Sequence, residues 1–116
     1  MRRLGELFPN KASANITFNI QLAQQIYASS DILAIPSRFE PCGLIQMMAM
    51  RYATIPVVRN TGGLKDTVNS EVGFGFNEFN ASNFHSVLKK AVNVYTNHPK
   101  KWLILQKNGY KKDFSW

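Results

Sequence analysis

The sequence predicts an α/β fold built on a parallel β-sheet. Two short apolar segments, residues 32–35 and 55–59, have the length of buried strands. Each is followed by a cluster of turn-forming residues, and segments with helical periodicity lie before, between and after them. Strands that alternate with helices along a chain are typical of a parallel sheet covered by helices.

The first half of the chain alternates between predicted helices and strands. Between residues 20 and 29 the pairs Leu22/Ile26 and Ala23/Tyr27 repeat at a spacing of four, which favours a helix. A methionine-rich segment after Gly43 contains good helix formers. The elements predicted for this half are a helix that ends before Pro9, a strand over 15–18, a helix over 20–29, a strand over 32–35 and a helix from Gly43 to about Ala53.

The second half begins with the strand over 55–59. Its Pro56 belongs near the strand start or at a sheet edge, because proline lacks an N–H donor. Apolar residues between Phe84 and Tyr95 recur at intervals of three and four, which predicts a helix with Ser82 as its N-cap. The other predicted elements are a glycine turn at 61–64, a short helix from Leu64 to Val68, a loop over 69–80 with a short strand at 75–76, and a last helix after Pro99 that contains Trp102, Leu105 and Gly109.

The size and composition of the chain indicate one globular domain or part of one. Of its 116 residues, 45% are hydrophobic and 18% are charged. No apolar segment approaches the ~20 residues that span a membrane, and no signal-type apolar stretch follows the N-terminus. Cys42 is the one cysteine in the sequence, so it has no internal disulfide partner and we expect a reducing compartment.

The formal net charge is +7, which admits nucleic acid, a membrane surface or an anionic small molecule as a partner. The excess is spread over short lysine pairs at 89–90, 100–101 and 111–112. Lysines placed in this way are also typical of solvated helix faces. Because neither a zinc-ligand spacing nor an aromatic nucleic-acid motif accompanies the charge, we expect no nucleic-acid partner and no membrane partner.

The segment from Pro36 to Leu44 is the strongest candidate for a functional site. It joins a predicted buried strand to a predicted helix, and ligands of open α/β sheets bind where the strands end. Glu40 places a carboxylate at this turn, and Pro-Cys-Gly at 41–43 opens the helix. A carboxylate beside a helix N-terminus suits a ligand that carries both a phosphate and a developing positive charge. The alternative is that Glu40 only caps the helix, since a carboxylate also suits the helix dipole.

Several ordered motifs resemble the glycogen and starch synthases. They are Ser-Arg-Phe-Glu-Pro-Cys-Gly-Leu at 37–44, Met-Arg-Tyr at 50–52, the segment 55–68 with Thr-Gly-Gly-Leu-Lys-Asp-Thr-Val, and Asp-Phe-Ser-Trp at 113–116. The segment Ile-Tyr-Ala-Ser-Ser-Asp at 26–31, which precedes the strand predicted over 32–35, is also similar to that family. The resemblance is strong over residues 15–68 and looser elsewhere.

The resemblance implies a retaining glucosyltransferase of the GT-B architecture, in which two Rossmann-like domains face a cleft. Such enzymes move glucose from ADP-glucose, or in some members UDP-glucose, to the non-reducing end of an α-1,4-glucan. Residues 1–116 resemble only the later part of the C-terminal, nucleotide-sugar-binding domain. The acceptor-binding N-terminal domain and the Arg and Lys that grip the donor diphosphate have no counterpart here. We therefore expect a partial Rossmann-like domain, a fragment of a synthase that is inactive on its own.

The same resemblance assigns roles at the first turn. Glu40 corresponds to the catalytic carboxylate at the donor glucose. Cys42, Gly43 and Leu44 are expected to contact glucose and phosphate through backbone N–H groups, and glycine permits a close approach. We expect no covalent role for the Cys42 thiol, because no histidine lies near it in the sequence. Ile45 stands where the family usually has Thr, so it offers an amide to the phosphate but no hydroxyl.

The resemblance also assigns roles to positions outside the first turn. Phe18 corresponds in spacing to an aromatic residue that stacks on adenine, although it also fits a core residue at a strand end. Thr61, Gly62 and Gly63 resemble a second ligand-side turn, although as a bare motif they lack the full dinucleotide fingerprint. Ala53 stands where the family usually has Gly.

Arginines and methionines near these turns admit structural interpretations. Arg38 and Arg59 suit either a phosphate contact or a surface ion pair. The methionines at 47, 48 and 50 are interpreted as core filler. Because no Asp/His cluster lies near the site, we expect no metal and no cofactor, and the donor sugar is a substrate.

A second interpretation is a non-catalytic remnant that binds glucan or a nucleotide sugar, or that pairs with a complete synthase. Ile45 and the short chain favour it. Under the first interpretation the partners are a nucleotide sugar and an α-1,4-glucan acceptor, the latter held by the missing domain. The resemblance implies a bacterial cytoplasm or a plastid stroma, and it leaves ADP-glucose and UDP-glucose both open as donors.

Overall fold

The protein is an alternating α/β structure, which the computed structural model describes over residues 2–14, 19–37 and 44–112. Its elements are helices α1 (Arg2–Leu7) and α2 (Ile20–Ser29), strand β1 (Ile32–Ile35), helix α3 (Ile45–Arg51), strand β2 (Ile55–Arg59), helix α4 (Gly62–Thr67), strand β3 (Phe74–Phe76), and helices α5 (Ala81–Asn97) and α6 (Pro99–Lys111). Within the described residues the strands form one sheet in the order β1-β2-β3, and both pairings are parallel. The predicted α/β class with a parallel sheet is confirmed.

Pro56 lies at the second position of β2, the central strand of this sheet. The N–H of Ile55 donates to the carbonyl of Asp31 on the β1 side at 3.0 Å. The nitrogen of Pro56 therefore faces the β3 side, because successive residues of a strand point their backbone groups in opposite directions. Pairing with β3 begins at Val57, opposite Phe74. The missing N–H thus falls before the β2–β3 ladder starts, which confirms that this proline lies near the strand start and not on an edge strand.

Helices cover both faces of the sheet and bury two hydrophobic clusters. Neighbouring residues of β2 contribute to different clusters, because side chains alternate between the faces of a strand. On one face α5 and α6 pack over β2 and β3, and the buried residues are Ile55, Val57, Phe74, Phe76, Val87, Ala91, Val94, Trp102 and Leu105. On the other face α3 and α4 contribute to a cluster of Ile35, Met50, Val58, Leu64, Val68 and Val72.

The last helix, α6, runs past the amino ends of the strands and contacts both layers. Trp102 is buried in the α5 cluster, whereas Gly109 packs against Met50 of α3. A Cβ atom at Gly109 would lie 3.2 Å from Cγ of Met50, so glycine allows the two helices to approach closely. Asn108 donates through Nδ2 to the carbonyl of Glu71, just before β3, at 2.9 Å. The predicted helix after Pro99 is confirmed.

Two helices begin earlier than the sequence predicts. Asn80, and not Ser82, caps α5: the N–H of Asn83 donates to Oδ1 of Asn80 at 2.8 Å. Asparagine is a strong N-cap, and its position lets Ala81 begin the helix. Helix α4 begins at Gly62, inside the predicted glycine turn. The predicted strand over 15–18 and the motif at 113–116 lie outside the described residues.

Helix α2 coincides with the predicted range of 20–29 and is held only loosely by the rest of the described structure. Asn19 caps it, since its Oδ1 accepts from the N–H of Leu22 at 3.0 Å. None of its residues is buried, and Ile20 is 62% exposed. Neither α2 nor any other described helix combines the length and apolar character needed to cross a membrane.

Candidate functional site

The carboxyl ends of the three strands lie at one edge of the sheet, because the strands are parallel. Arg59, the last residue of β2, donates hydrogen bonds to the loops that follow β1 and β3 at this edge. Its Nε donates to the carbonyl of Asn77 after β3 at 3.2 Å, and its Nη1 donates to the carbonyl of Ser37 after β1 at 3.5 Å. The guanidinium also lies 5.4 Å from the ring centroid of Phe79. Arg59 therefore organises the loops at the carboxyl edge, a role that the sequence did not reveal.

The predicted glycine turn leaves the same edge directly after β2. Thr61 is extended, with φ of −149°, and its carbonyl accepts from the N–H of Leu64 at 3.1 Å. Gly62 has a φ of 49°, a left-handed value that residues with a Cβ disfavour, which explains the glycine. Gly63 is buried at the start of α4. Thr61, Gly62 and Gly63 thus form a turn at the carboxyl edge, as predicted; their contact with a ligand stays a prediction.

The turn around Glu40 is described only at its end, where α3 begins. Leu44 is 65% exposed and Ile45 is 41% exposed, and the N–H of Met48 donates to the carbonyl of Leu44 at 3.1 Å. Exposed apolar side chains at this edge are available to a ligand. The other residues predicted here, Arg38, Glu40, Cys42 and Gly43, lie outside the described residues, as does Phe18. Their roles stay predictions.

A groove of about 400 Å³ lies between α2 and α3, beside the start of α3. Its walls are mainly apolar, and they are formed by Asn19, Ile20, Ala23, Gln24, Tyr27, Ile45 and Met48. Ile45 is thus placed in a groove wall, and Phe18 directly precedes Asn19 in the chain. Met50 is buried in the core as predicted, but Met48 is half-buried and lines the groove. The sequence missed this role of Met48 because helical spacing alone does not show which face lacks a partner.

A buried hydrogen bond between side chains joins α3 to α4. Gln46 is fully buried and donates through Nε2 to Oγ1 of Thr67 at 2.9 Å. Thr67 in turn donates to the carbonyl of Gly63 at 2.8 Å. This contact is not predictable from the sequence, since Gln46 and Thr67 are 21 positions apart.

The lysines lie away from the groove. Those at 89, 90, 100, 101 and 111 are exposed on α5 and α6, which agrees with their interpretation as solvated helix faces. Lys112 differs from this expectation, because it is half-buried and donates through Nζ to the carbonyl of Thr67 at 3.4 Å. Lys90 and Lys101 line a separate cavity of about 330 Å³ along β3, together with Asn69 and Ser70. In the described ranges, no group of three His, Cys, Asp or Glu side chains is close enough to hold a metal ion.

Comparison with known proteins relates this chain to enzymes that transfer sugars. Residues 9–112 match the family model of the glycosyl transferases group 1. The chain is 53% identical over 119 residues to the glycogen synthase of Streptococcus mutans and 54% identical over 122 residues to that of Kosmotoga olearia. The alignments cover 97% and 99% of this chain but 25% and 26% of the relatives. The chain therefore spans about a quarter of the length of the curated relatives it matches.

Solved structures show the same architecture. The chain matches the catalytic domain of starch synthase IV from Arabidopsis thaliana bound to ADP and acarbose, with a TM-score of 0.87 and 35% identity. That match covers 99% of this chain and 26% of the other. The sucrose-phosphate synthase of Thermosynechococcus elongatus matches at 22% identity with a TM-score of 0.74, which shows the fold alone. The prediction of a Rossmann-like part of a GT-B structure is confirmed.

Proposed function

The chain belongs to the group 1 glycosyl transferase family, and we propose that it forms the donor-nucleotide side of a glucan synthase. The resemblance to glycogen and starch synthases is confirmed, because about half of the residues are identical to those of curated glycogen synthases over nearly the whole chain. This identity is the observation that carries the proposal. The match to a starch synthase domain with bound ADP supports a nucleotide as the ligand.

The reaction proposed for the whole protein is transfer of glucose from ADP-glucose to the non-reducing end of an α-1,4-glucan, with retention. The bond between the anomeric carbon and the donor phosphate breaks, and the acceptor hydroxyl forms the new bond on the same face. Its proton passes to the leaving phosphate. Positive charge develops on the sugar ring, and the Glu40 carboxylate stabilises it or orients a sugar hydroxyl. The proposal invokes no metal and no cofactor, and it places the reaction in a bacterial cytoplasm or a plastid stroma.

The groove between α2 and α3 is the proposed site of the adenine ring. Its apolar walls include Ile45 and Met48, and a planar base gains from burial against such surfaces. Phe18, which directly precedes the groove residue Asn19, supplies the stacking face in this proposal. The exposure of α2 is consistent with a wall that a ligand covers, since none of its residues is buried.

The two turns at the carboxyl edge are the proposed contacts to the sugar and the diphosphate. At the first turn the N–H groups of Cys42, Gly43 and Leu44 take this role. At the second turn Gly62 has a left-handed conformation, and because it lacks a Cβ atom its backbone is open to a ligand at this edge of the sheet. Anionic oxygens are well bound by backbone N–H donors at such turns. Arg59 donates hydrogen bonds to the loops after β1 and β3, and so links these loops at the same edge of the sheet.

A second candidate function is a binding module without catalysis, and Ile45 is the observation that favours it. An apolar side chain in the groove wall replaces the hydroxyl that the family usually offers to phosphate. A donor held more weakly at its phosphates is turned over less efficiently. This candidate predicts binding of a nucleotide sugar or a glucan with no transfer.

Calorimetric titration of the purified chain with ADP, and separately with UDP, tests the proposal. We expect saturable binding of one ADP per chain that is weakened by Phe18→Ala. Phe8→Ala is the matched control, because Phe8 is 52% exposed and belongs to no proposed contact. Absence of binding to either nucleotide, or an equal effect of the two substitutions, would contradict the proposed donor site. Glucan elongation from ADP-glucose separates catalysis from binding, and we expect none from this chain alone.

A further inference from the structure

Gln46 is a fully buried polar side chain one residue after Ile45 in α3. Its Nε2 donates to Oγ1 of Thr67 at 2.9 Å, and that hydroxyl donates to the carbonyl of Gly63 at 2.8 Å. The two hydrogen bonds form a series. It begins at Gln46 in the first turn of α3, passes through the Thr67 hydroxyl and ends at the carbonyl of Gly63 in the first turn of α4. They therefore connect the segment after the Glu40 turn with the Thr61–Gly63 turn.

The orientation of the Gln46 amide follows from counting donors. The Thr67 hydroxyl has one hydrogen, and it is used on Gly63. If the amide were reversed, its oxygen would face Thr67 and the hydroxyl would have to abandon Gly63 to serve it. The observed orientation makes both bonds, but it leaves Oε1 of Gln46 buried and without a partner in the described structure.

We propose that Gln46 is a positioning residue for the donor, which acts by fixing the start of α3 relative to the Thr61–Gly63 turn. The inference rests on the proposed function, because it assumes that both turns contact one nucleotide sugar. Gln46 itself is buried and takes no part in the contact. Its bond to Thr67 sets where the start of α3, at Leu44 and Ile45, lies relative to Gly63.

Stability alone does not account for a glutamine at this position. A buried acceptor without a partner is unfavourable, and an apolar side chain of similar volume would avoid it. The contact between α3 and α4 also has an apolar component, since Met50 and Leu64 share one buried cluster. Removing the amide should therefore leave global stability nearly unchanged, while the start of α3 loses its fixed position relative to the Thr61–Gly63 turn.

Gln46→Met, which keeps the length of the side chain, tests this inference against Gln106→Met. Gln106→Met is the matched control, because Gln106 also donates one hydrogen bond through Nε2, at 3.1 Å, but to the carbonyl of Ala53 at the amino edge of the sheet, outside the groove and the Thr61–Gly63 turn. We expect Gln46→Met to bind ADP about tenfold more weakly, the scale of one lost hydrogen bond to a charged group. Its Tm should stay within about 2 °C of the unsubstituted chain. Gln106→Met should lower the Tm and leave ADP affinity unchanged in the folded protein.

The rate of amide hydrogen exchange, measured without nucleotide, tests the role of Gln46 independently of ADP binding. The N–H of Leu64 donates to the carbonyl of Thr61, so its exchange reports on the second turn. Gln46→Met should accelerate exchange at Leu64 and leave Val57 and Val58 of β2 unchanged. Unaltered exchange at Leu64, or ADP affinity equal to that of the unsubstituted chain, would overturn the role of Gln46. If the unsubstituted chain binds no ADP, the proposed function fails, and the exchange rates still decide whether Gln46 fixes the turn.

Discussion

Gln106 of α6 donates a hydrogen bond through Nε2 to the carbonyl of Ala53 at 3.1 Å. Ala53 has a φ of 60°, the one positive value among non-glycine residues of the described structure. The left-handed conformation ends α3 and turns the chain into β2. It explains why the resemblance places Gly at this position, and it shows that Ala53 introduces local strain.

Ala53→Gly should stabilise the protein. Relief of the left-handed strain outweighs the greater freedom of glycine in the unfolded chain, for a net gain of about 0.5–1 kcal/mol. The hydrogen bond from Gln106 is retained, because it goes to the backbone carbonyl. Chemical denaturation measures the change, with Ala28→Gly on the exposed face of α2 as control. That control should lose about 1 kcal/mol, and a similar loss for Ala53→Gly would contradict the account.

Substitution by alanine should destabilise the protein more at Gly73 than at Gly75. A Cβ atom at Gly73 would overlap the backbone carbonyl oxygen of Pro56, which cannot move without shifting β2. We expect Gly73→Ala to lower the free energy of unfolding by about 3 kcal/mol. A Cβ atom at Gly75 would meet only the side chain of Asn60, at 2.5 Å from Oδ1, and would break its 3.0 Å bond to Asn77. That loss should cost about 1 kcal/mol.

A double-mutant cycle checks the second explanation. In an Asn60→Ala background the side chain that blocks a Cβ atom at Gly75 is gone, so Gly75→Ala should cost almost nothing more. Additive losses from the two substitutions would show that the strain lies elsewhere.

The sequence predicted the parts of the fold that depend on neighbours in the chain. The range of α2 follows from an i,i+4 repeat, and β1 and β2 follow from short apolar segments between turn residues. The contacts of Arg59 were not predictable, because they join loops that come together only when three parallel strands share an edge. The same limit applies to Gln46 and Thr67.

The candidate site was predicted in part. The Thr61–Gly63 turn lies at the carboxyl edge as expected, and the left-handed Gly62 gives a physical reason for its glycine. Met48 shows what the sequence could not decide: a methionine in an amphipathic helix faces either a core or an open groove, and only the packing of α2 tells which. Roles assigned to Phe18 and Glu40 remain predictions.

Ile45→Thr should strengthen ADP binding. A hydroxyl at this position of the groove wall would donate to a phosphate oxygen, and a hydrogen bond to a charged group is worth about tenfold in affinity. Ile45→Val is the matched control, because valine has the shape of threonine without its hydroxyl. Calorimetric titration of both variants measures the effect. Equal affinities would mean that residue 45 does not face the phosphates.

Tyr95 should titrate at unusually high pH. Hydrogen bonding with the Asp31 carboxylate, together with the negative charge of that group, raises the pKa of Tyr95 above its ordinary value of 10.0. The neutral phenol is favoured in the folded state. Its stabilising contribution is therefore complete below pH 10 and is lost as pH rises through the folded-state pKa. The phenolate absorbance of the protein minus that of Tyr95→Phe measures this pKa, and Asp31→Asn should return it towards 10.0. A Tyr95 that titrates at or below 10.0 would contradict the contact.

Under the proposed function, this chain holds a donor nucleotide between α2, α3 and the Thr61–Gly63 turn. Backbone amide chemical shifts during titration with ADP test it most directly, because each residue reports separately. We expect saturable shifts at Leu44, Ile45, Gly62 and Gly63. Shifts confined to the lysine-lined cavity around Lys90 and Lys101, or no shifts at all, would contradict it.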